Sequence, residues 1–109
     1  TKDNILIVTP EVDTLDAREA PEFKELLINL IDNKEFTGVV IDLKHLQFID
    51  SSGLGSFLSA LRVLHTNGGD LKLSHMNKPI RTVFELVRMH KIFEIFNTTE
   101  DALKSFSKY

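Results

Sequence analysis

The run "TGVVIDL", Thr37 to Leu43, most constrains what this chain can fold into. A strand with one wet face alternates apolar and polar residues; this one is apolar almost throughout, which predicts a strand buried on both faces. A strand of that kind needs a covering layer on each side, and crossover helices between parallel strands supply it. The surrounding sequence has the matching pieces. "NILIVT" (Asn4 to Thr9) is short and β-branched, and reads as a strand. In "PEVDTLDAREAPEFKELLINLIDN", Phe23, Leu26, Leu27, Leu30 and Ile31 recur at helical spacing and predict one buried helix face. Pro21 suits the first turn of that helix, and Asp16 to Ala20 can form a turn ahead of it.

"LQFID" (Leu46 to Asp50) is either a continuation of the buried strand past a kink or a short strand beside it. A second helix follows, with Leu54, Phe57, Leu58, Leu61 and either Leu64 or His65 inward, ended by Asn67-Gly68-Gly69. "DLKLSH" (Asp70 to His75) alternates and predicts a strand with one wet face. Pro79 opens a third helix whose stripe is Ile80, Val83, Phe84 and Val87; "KIFEIF" (Lys91 to Phe96) is the last strand. "TTEDALKSF" carries a capping signature, Thr98 or Thr99 before acidic residues, and predicts a short terminal helix. The expectation is one α/β domain over residues 1–109. It holds a mixed, largely parallel sheet of about four to five strands, with about four helices in β-α-β-α order.

Composition removes several functions. The net charge is −3 and no block is rich in lysine or arginine, which argues against nucleic acid as a partner. With no cysteine there is no disulfide scaffold, thiolate metal site or thiol catalysis, and the four histidines lack metal-ligand spacing. No metal and no cofactor are expected. No segment approaches the ~20 apolar residues of a membrane span, and "TKDNILIVTP" does not read as a signal peptide. A cytoplasmic, monomeric domain with no insertion into a membrane is the expectation.

The stretch with chemistry in it is "FIDSSGLGSFLSAL", Phe48 to Leu61: a strand-like run, an aspartate, two serines, then two glycines leading into a helix. A helix start offers unpaired N–H groups and partial positive charge. Ser52 is the expected N-cap, and Gly53 and Gly55 weaken the helix while leaving room for another molecule to approach its backbone. The pattern is compatible with plain capping, a nucleophile, a phosphate cradle, or a serine that receives a phosphate. A nucleophile elbow would need glycine two residues before the serine, and neither Ser51 nor Ser52 has one. "SGLG" is too short for a phosphate-binding loop and no lysine follows it. Phosphorylation would add about −1.5 to −2 charges, which the helix dipole partly accommodates and Asp50 and Asp13 oppose. A partner docked over the junction would feel the charge far more than the fold would.

On "IDSSGLG", supported by Asp13 in "EVD", by "NGGDLKL" and by "TTEDAL", nearly the whole chain resembles a STAS domain of the bacterial anti-sigma factor antagonist family. The resemblance implies that Ser51, directly after Asp50, is the phosphoacceptor. It implies a switch and partner-binding region of Asp13, Asp50, Ser52, Gly53, Leu54, Gly55, Ser56 and Ser59. It also implies a regulatory phosphoprotein rather than an enzyme. The unphosphorylated form binds an anti-sigma factor serine kinase, which carries the ATP and magnesium, and frees a sigma factor for transcription; a serine phosphatase resets the partner switching. Gly55, Ser56 and Ser59 are expected to form a small, smooth outer face against which the kinase lies. Other STAS settings are the alternative: an anion transporter tail, a lipid-transport complex or a stress-sensing assembly. The family commonly has glycine at Pro10 and Arg88, so the turns there are expected to be built differently. It also commonly has one more strand ahead of Asn4.

Overall fold

The computed structural model describes residues 4–32 and 36–106. Asn33, at the end of the segment quoted for the first helix, lies outside them. Four strands, β1 (Ile5–Val8), β3 (Gly38–Asp42), β5 (Asp70–Ser74) and β6 (Glu94–Phe96), form one sheet in the order β1-β3-β5-β6, and every pairing is parallel. Helices α1 (Ala20–Ile31), α2 (Ser51–Thr66) and α3 (Lys78–Leu86) connect them. Residues of these helices join Leu6, Val8, Val39, Ile41, Leu71, Leu73 and Ile95 in one core on one face of the sheet. Four phenylalanines, Phe23, Phe57, Phe84 and Phe93, pack ring against ring at its centre. The last helix, α4 (Thr99–Phe106), covers the other face, where it contacts β3, β5 and β6.

Strand β3 is buried at all five positions, as its apolar run predicts. Strand β5 departs from expectation: it has no wet face, because α4 closes the side that alternation assigns to water. Lys72 therefore sits buried. Its ammonium donates to the Ser105 hydroxyl at 2.7 Å, pairs with Glu94 at 3.1 Å and lies 4.3 Å from the centre of the Phe106 ring. The same ring explains Gly38, where a Cβ would stand 2.5 Å from a Phe106 ring carbon.

Other elements are narrower than their patterns. In α1, Leu27 and Ile31 are buried and Phe23 is half-buried, but Leu26 and Leu30 are exposed, because the helix packs mainly along α2 and covers only one row. In α2 it is Leu64 that turns inward while His65 faces solvent. In α3, Ile80 and Phe84 are buried while Val87 is exposed. The last strand begins only at Glu94, since Met89–Lys91 form a 3-10 turn. Arg88, expected to avoid positive φ, adopts it (φ 64°, ψ 22°) and ends α3 in the left-handed conformation. Thr98 is the residue that caps α4, accepting from the N–H of Asp101.

The chain leaving β1 and the chain leaving β3 pair a second time beyond the carboxyl edge of the sheet. There β2 (Thr14–Leu15) lies parallel to β4 (Phe48–Ile49), with Thr14 opposite Phe48 and Leu15 opposite Ile49. The "LQFID" segment is thus a short strand of its own, and it partners β2 rather than β3.

Candidate functional site

The β2–β4 ribbon delivers the chain directly into α2. Asp50 is extended (φ −115°, ψ −171°), and helical residues begin at Ser51 with no loop between. The expected N-cap is therefore displaced by two residues. Asp50, not Ser52, caps the helix, its Oδ1 accepting from the N–H groups of Ser52 at 2.8 Å and Gly53 at 3.2 Å. A carboxylate at this position satisfies two orphan donors and lies favourably in the dipole. Once the cap is Asp50, both serines are released from that duty. Ser51 is exposed, and its hydroxyl has no hydrogen-bond partner among the described residues.

The two glycines, alike in sequence, do different work. A Cβ on Gly53 would lie 2.4 Å from the Leu15 carbonyl oxygen and 2.6 Å from the Ile49 side chain, so this glycine lets α2 start flush against the β2–β4 ribbon. The expectation that it makes room for a visiting molecule is corrected: its own fold fills that space. A Cβ on Gly55 would meet nothing within 4 Å, so the open surface is there. Leu54 is buried and holds the first turn to the core.

Ser56 also departs from its assignment to the outer face. It is buried, and its hydroxyl donates to the Gly53 carbonyl at 2.6 Å. An arginine there would break packing rather than probe a surface. Ser52, Gly55 and Ser59 do share a face, with Ser56 at its base, but that face is one wall of a groove. Lys24, Glu25 and Ile28 of α1 form the opposite wall. Sequence periodicity on α2 alone gave no sign of this second wall.

Asp13 reaches the site through its main chain. Its carbonyl accepts from the N–H groups of Gln47 at 2.7 Å and Phe48 at 3.0 Å and so fixes the register of β4. Asp13 also lines a separate pocket with Glu11, Asp16, Arg18, Glu19 and His45. Among the described residues no group of histidine, aspartate and glutamate is arranged to hold a metal ion. One residue that the sequence reading passed over is Asn77. It caps α3 by accepting from the Ile80 N–H at 3.1 Å, and its amide donates to the Leu46 carbonyl at 2.6 Å, tying α3 to the segment that leads into β4.

The STAS domain family model matches residues 1–102. The chain belongs to the STAS family. An anti-sigma F factor antagonist of Paenibacillus polymyxa is 32% identical over 73 residues, a match that spans 67% of this chain and 62% of that protein. The anti-sigma factor antagonist SpoIIAA shares the fold in two solved states. Its unphosphorylated form gives a TM-score of 0.82 at 20% identity, covering 99% of this chain and 92% of that one. Its phosphorylated form gives 0.66 at 22% identity, covering 94% and 88%. A murine Solute Carrier 26 family member A9 anion transporter shares the fold as well, with a TM-score of 0.83 at 15% identity over 99% of this chain and 18% of the transporter. The fold thus serves both settings expected of it, and the choice between them rests on the junction. No helix among the described residues is long and apolar enough to cross a membrane.

Proposed function

We propose that this STAS domain is an anti-sigma factor antagonist switched by phosphorylation of Ser51. In its unmodified form it binds an anti-sigma factor serine kinase, and so releases a sigma factor; the phosphorylated form lets the kinase go. The domain is substrate and ligand in this cycle, ATP and magnesium belong to the kinase, and a serine phosphatase restores the binding form. The observation that carries the reading is the free, exposed Ser51 hydroxyl on a first helical turn already capped by Asp50. A phosphate on that oxygen displaces no internal hydrogen bond and sits at the positive end of α2, so the fold tolerates it. The dianion also stands beside the groove between α1 and α2, where a partner docked against Ser52, Gly55 and Ser59 would have to bury it. Burying an unpaired charge removes several kcal/mol of affinity, roughly a hundredfold or more. Relatives named as antagonists, including one solved in phosphorylated form, support the reading.

The test is to incubate the domain with ATP, magnesium and an anti-sigma factor kinase from the same genome. Mass spectrometry is expected to place one phosphate, on Ser51. Ser51→Ala should bind the kinase and stay unmodified, while Ser51→Asp should fold normally and bind on the order of a hundredfold more weakly. Phosphate on Ser52 instead, or undiminished binding by Ser51→Asp, would overturn the assignment.

A further inference from the structure

Ser51 stands beyond the carboxyl ends of the strands. The turn after α3 stands at the opposite end, because α3 leaves the carboxyl end of β5 and returns the chain to the amino end of β6. Three large apolar side chains are exposed within seven residues of that turn: Leu86 at 79%, Val87 at 48% and Ile92 at 53%. Arg88, His90 and Lys91 are interleaved with them, and the segment contains no acid, although the chain as a whole carries −3. Glu85 and Glu94 flank the segment on either side. Arg88 is the unusual member. It holds a left-handed conformation that glycine adopts without strain, and its guanidinium makes no ion pair or hydrogen bond among the described residues. No hydrogen bond or ion pair among the described residues ties this exposed side chain to the fold, and glycine would hold the same backbone with less strain, so the arginine points to a use outside the fold.

We propose that Leu86, Val87, Arg88, Lys91 and Ile92 form a second docking surface. It is distinct from the Ser51 junction and takes a protein segment that presents carboxylates around an apolar stripe. A guanidinium set in sequence among exposed apolar residues suits a carboxylate, which it grips through two parallel hydrogen bonds. A lipid surface fits less well. Basic segments that hold to anionic membranes carry clusters of about four to eight cations, whereas this patch carries Arg88 and Lys91 on an acidic domain. Because the patch and Ser51 lie at opposite ends of the sheet, a partner held here stays bound whatever the state of Ser51. The proposal does not depend on the switch reading.

The probe is a synthetic amphipathic helical peptide with leucines along one face and glutamates on both flanks, alongside its counterpart carrying lysines. Titrated into the isotope-labelled domain, the glutamate peptide should shift the backbone amides of residues 86–92. Arg88→Glu should weaken that peptide about tenfold or more and improve binding of the lysine peptide. Arg88→Gly is the control for a merely structural role: it should raise Tm and still weaken the glutamate peptide. Ser51→Asp should leave the affinity within about twofold. The proposal is overturned by any of four results: equal binding of both peptides, shifts confined to other residues, unchanged affinity in Arg88→Gly, or loss of binding in Ser51→Asp. Two further outcomes would also refute it. One is absence of peptide binding together with co-sedimentation on phosphatidylglycerol vesicles; the other is self-association of the chain through residues 86–92.

Discussion

Helices α2 and α3 begin alike, each one just after a parallel strand and each capped by an Asx side chain, yet one start is closed and the other open. At α3, Asn77 spends both halves of its amide inside the fold, the oxygen on the Ile80 N–H and the nitrogen on the Leu46 carbonyl, and Pro79 removes one orphan donor. At α2, Asp50 has only acceptors to offer; it satisfies Ser52 and Gly53 and leaves the Ser51 hydroxyl in solvent. The contrast teaches that a capping residue decides more than helix stability. Its choice of donors and acceptors sets whether the neighbouring side chain is tied to the domain or left free for another molecule.

The strongest way to break this comparison is to disturb what holds the open start in place. Gly53→Ala should lower unfolding free energy by about 2–3 kcal/mol or more, read from urea denaturation, because its methyl group would strike the Leu15 backbone. Asn77→Ala comes next, at about 2 kcal/mol, since it removes a cap and strands a carbonyl at once; faster hydrogen exchange in residues 46–49 would show that the loss reaches β4. Asp50→Ala should cost about 1 kcal/mol in the same denaturation assay, less than Asn77→Ala because only the cap is lost. If Asp50→Ala proves the more damaging of the two, the contrast between a closed and an open start is wrong. Gly55→Ala should move stability upward by up to about 1 kcal/mol, visible as a higher Tm, for it meets open space in a helical position. Ser51→Ala sharpens the comparison most and changes stability least, within about 0.5 kcal/mol, as expected of a hydroxyl with no internal partner.

Much of this was legible in the sequence, and what was not has identifiable causes. The buried strand at Val39 to Ile41 and the helix stops at Asn67-Gly68 follow from local pattern, because burial on both faces and positive φ each leave a direct mark on residue type. The wet face assigned to β5 failed because Lys72 reads as solvent-facing unless one knows that Ser105, Glu94 and Phe106 converge on it from other elements. The exposed Leu26 and Leu30 failed for the converse reason: helical spacing shows which residues share a face, not how much of that face a neighbour covers. At the junction the motif itself was plain. Which residue caps, which glycine is packed and whether Ser56 is inside depend on the Leu15 carbonyl and on α1, both distant in sequence.

That α2 starts at the residue directly after Asp50, with no intervening loop, bears on how any enzyme could recognise Ser51. Protein kinases often read their targets as extended peptides drawn across a cleft, but here the hydroxyl is offered from a turn that is already wound and anchored by Gly53 against the neighbouring ribbon. An enzyme that modified Ser51 would therefore have to accept a finished three-dimensional shape, and a short synthetic fragment of these residues would be a poor stand-in for the intact domain. Unfolding would thus erase the address as well as the architecture.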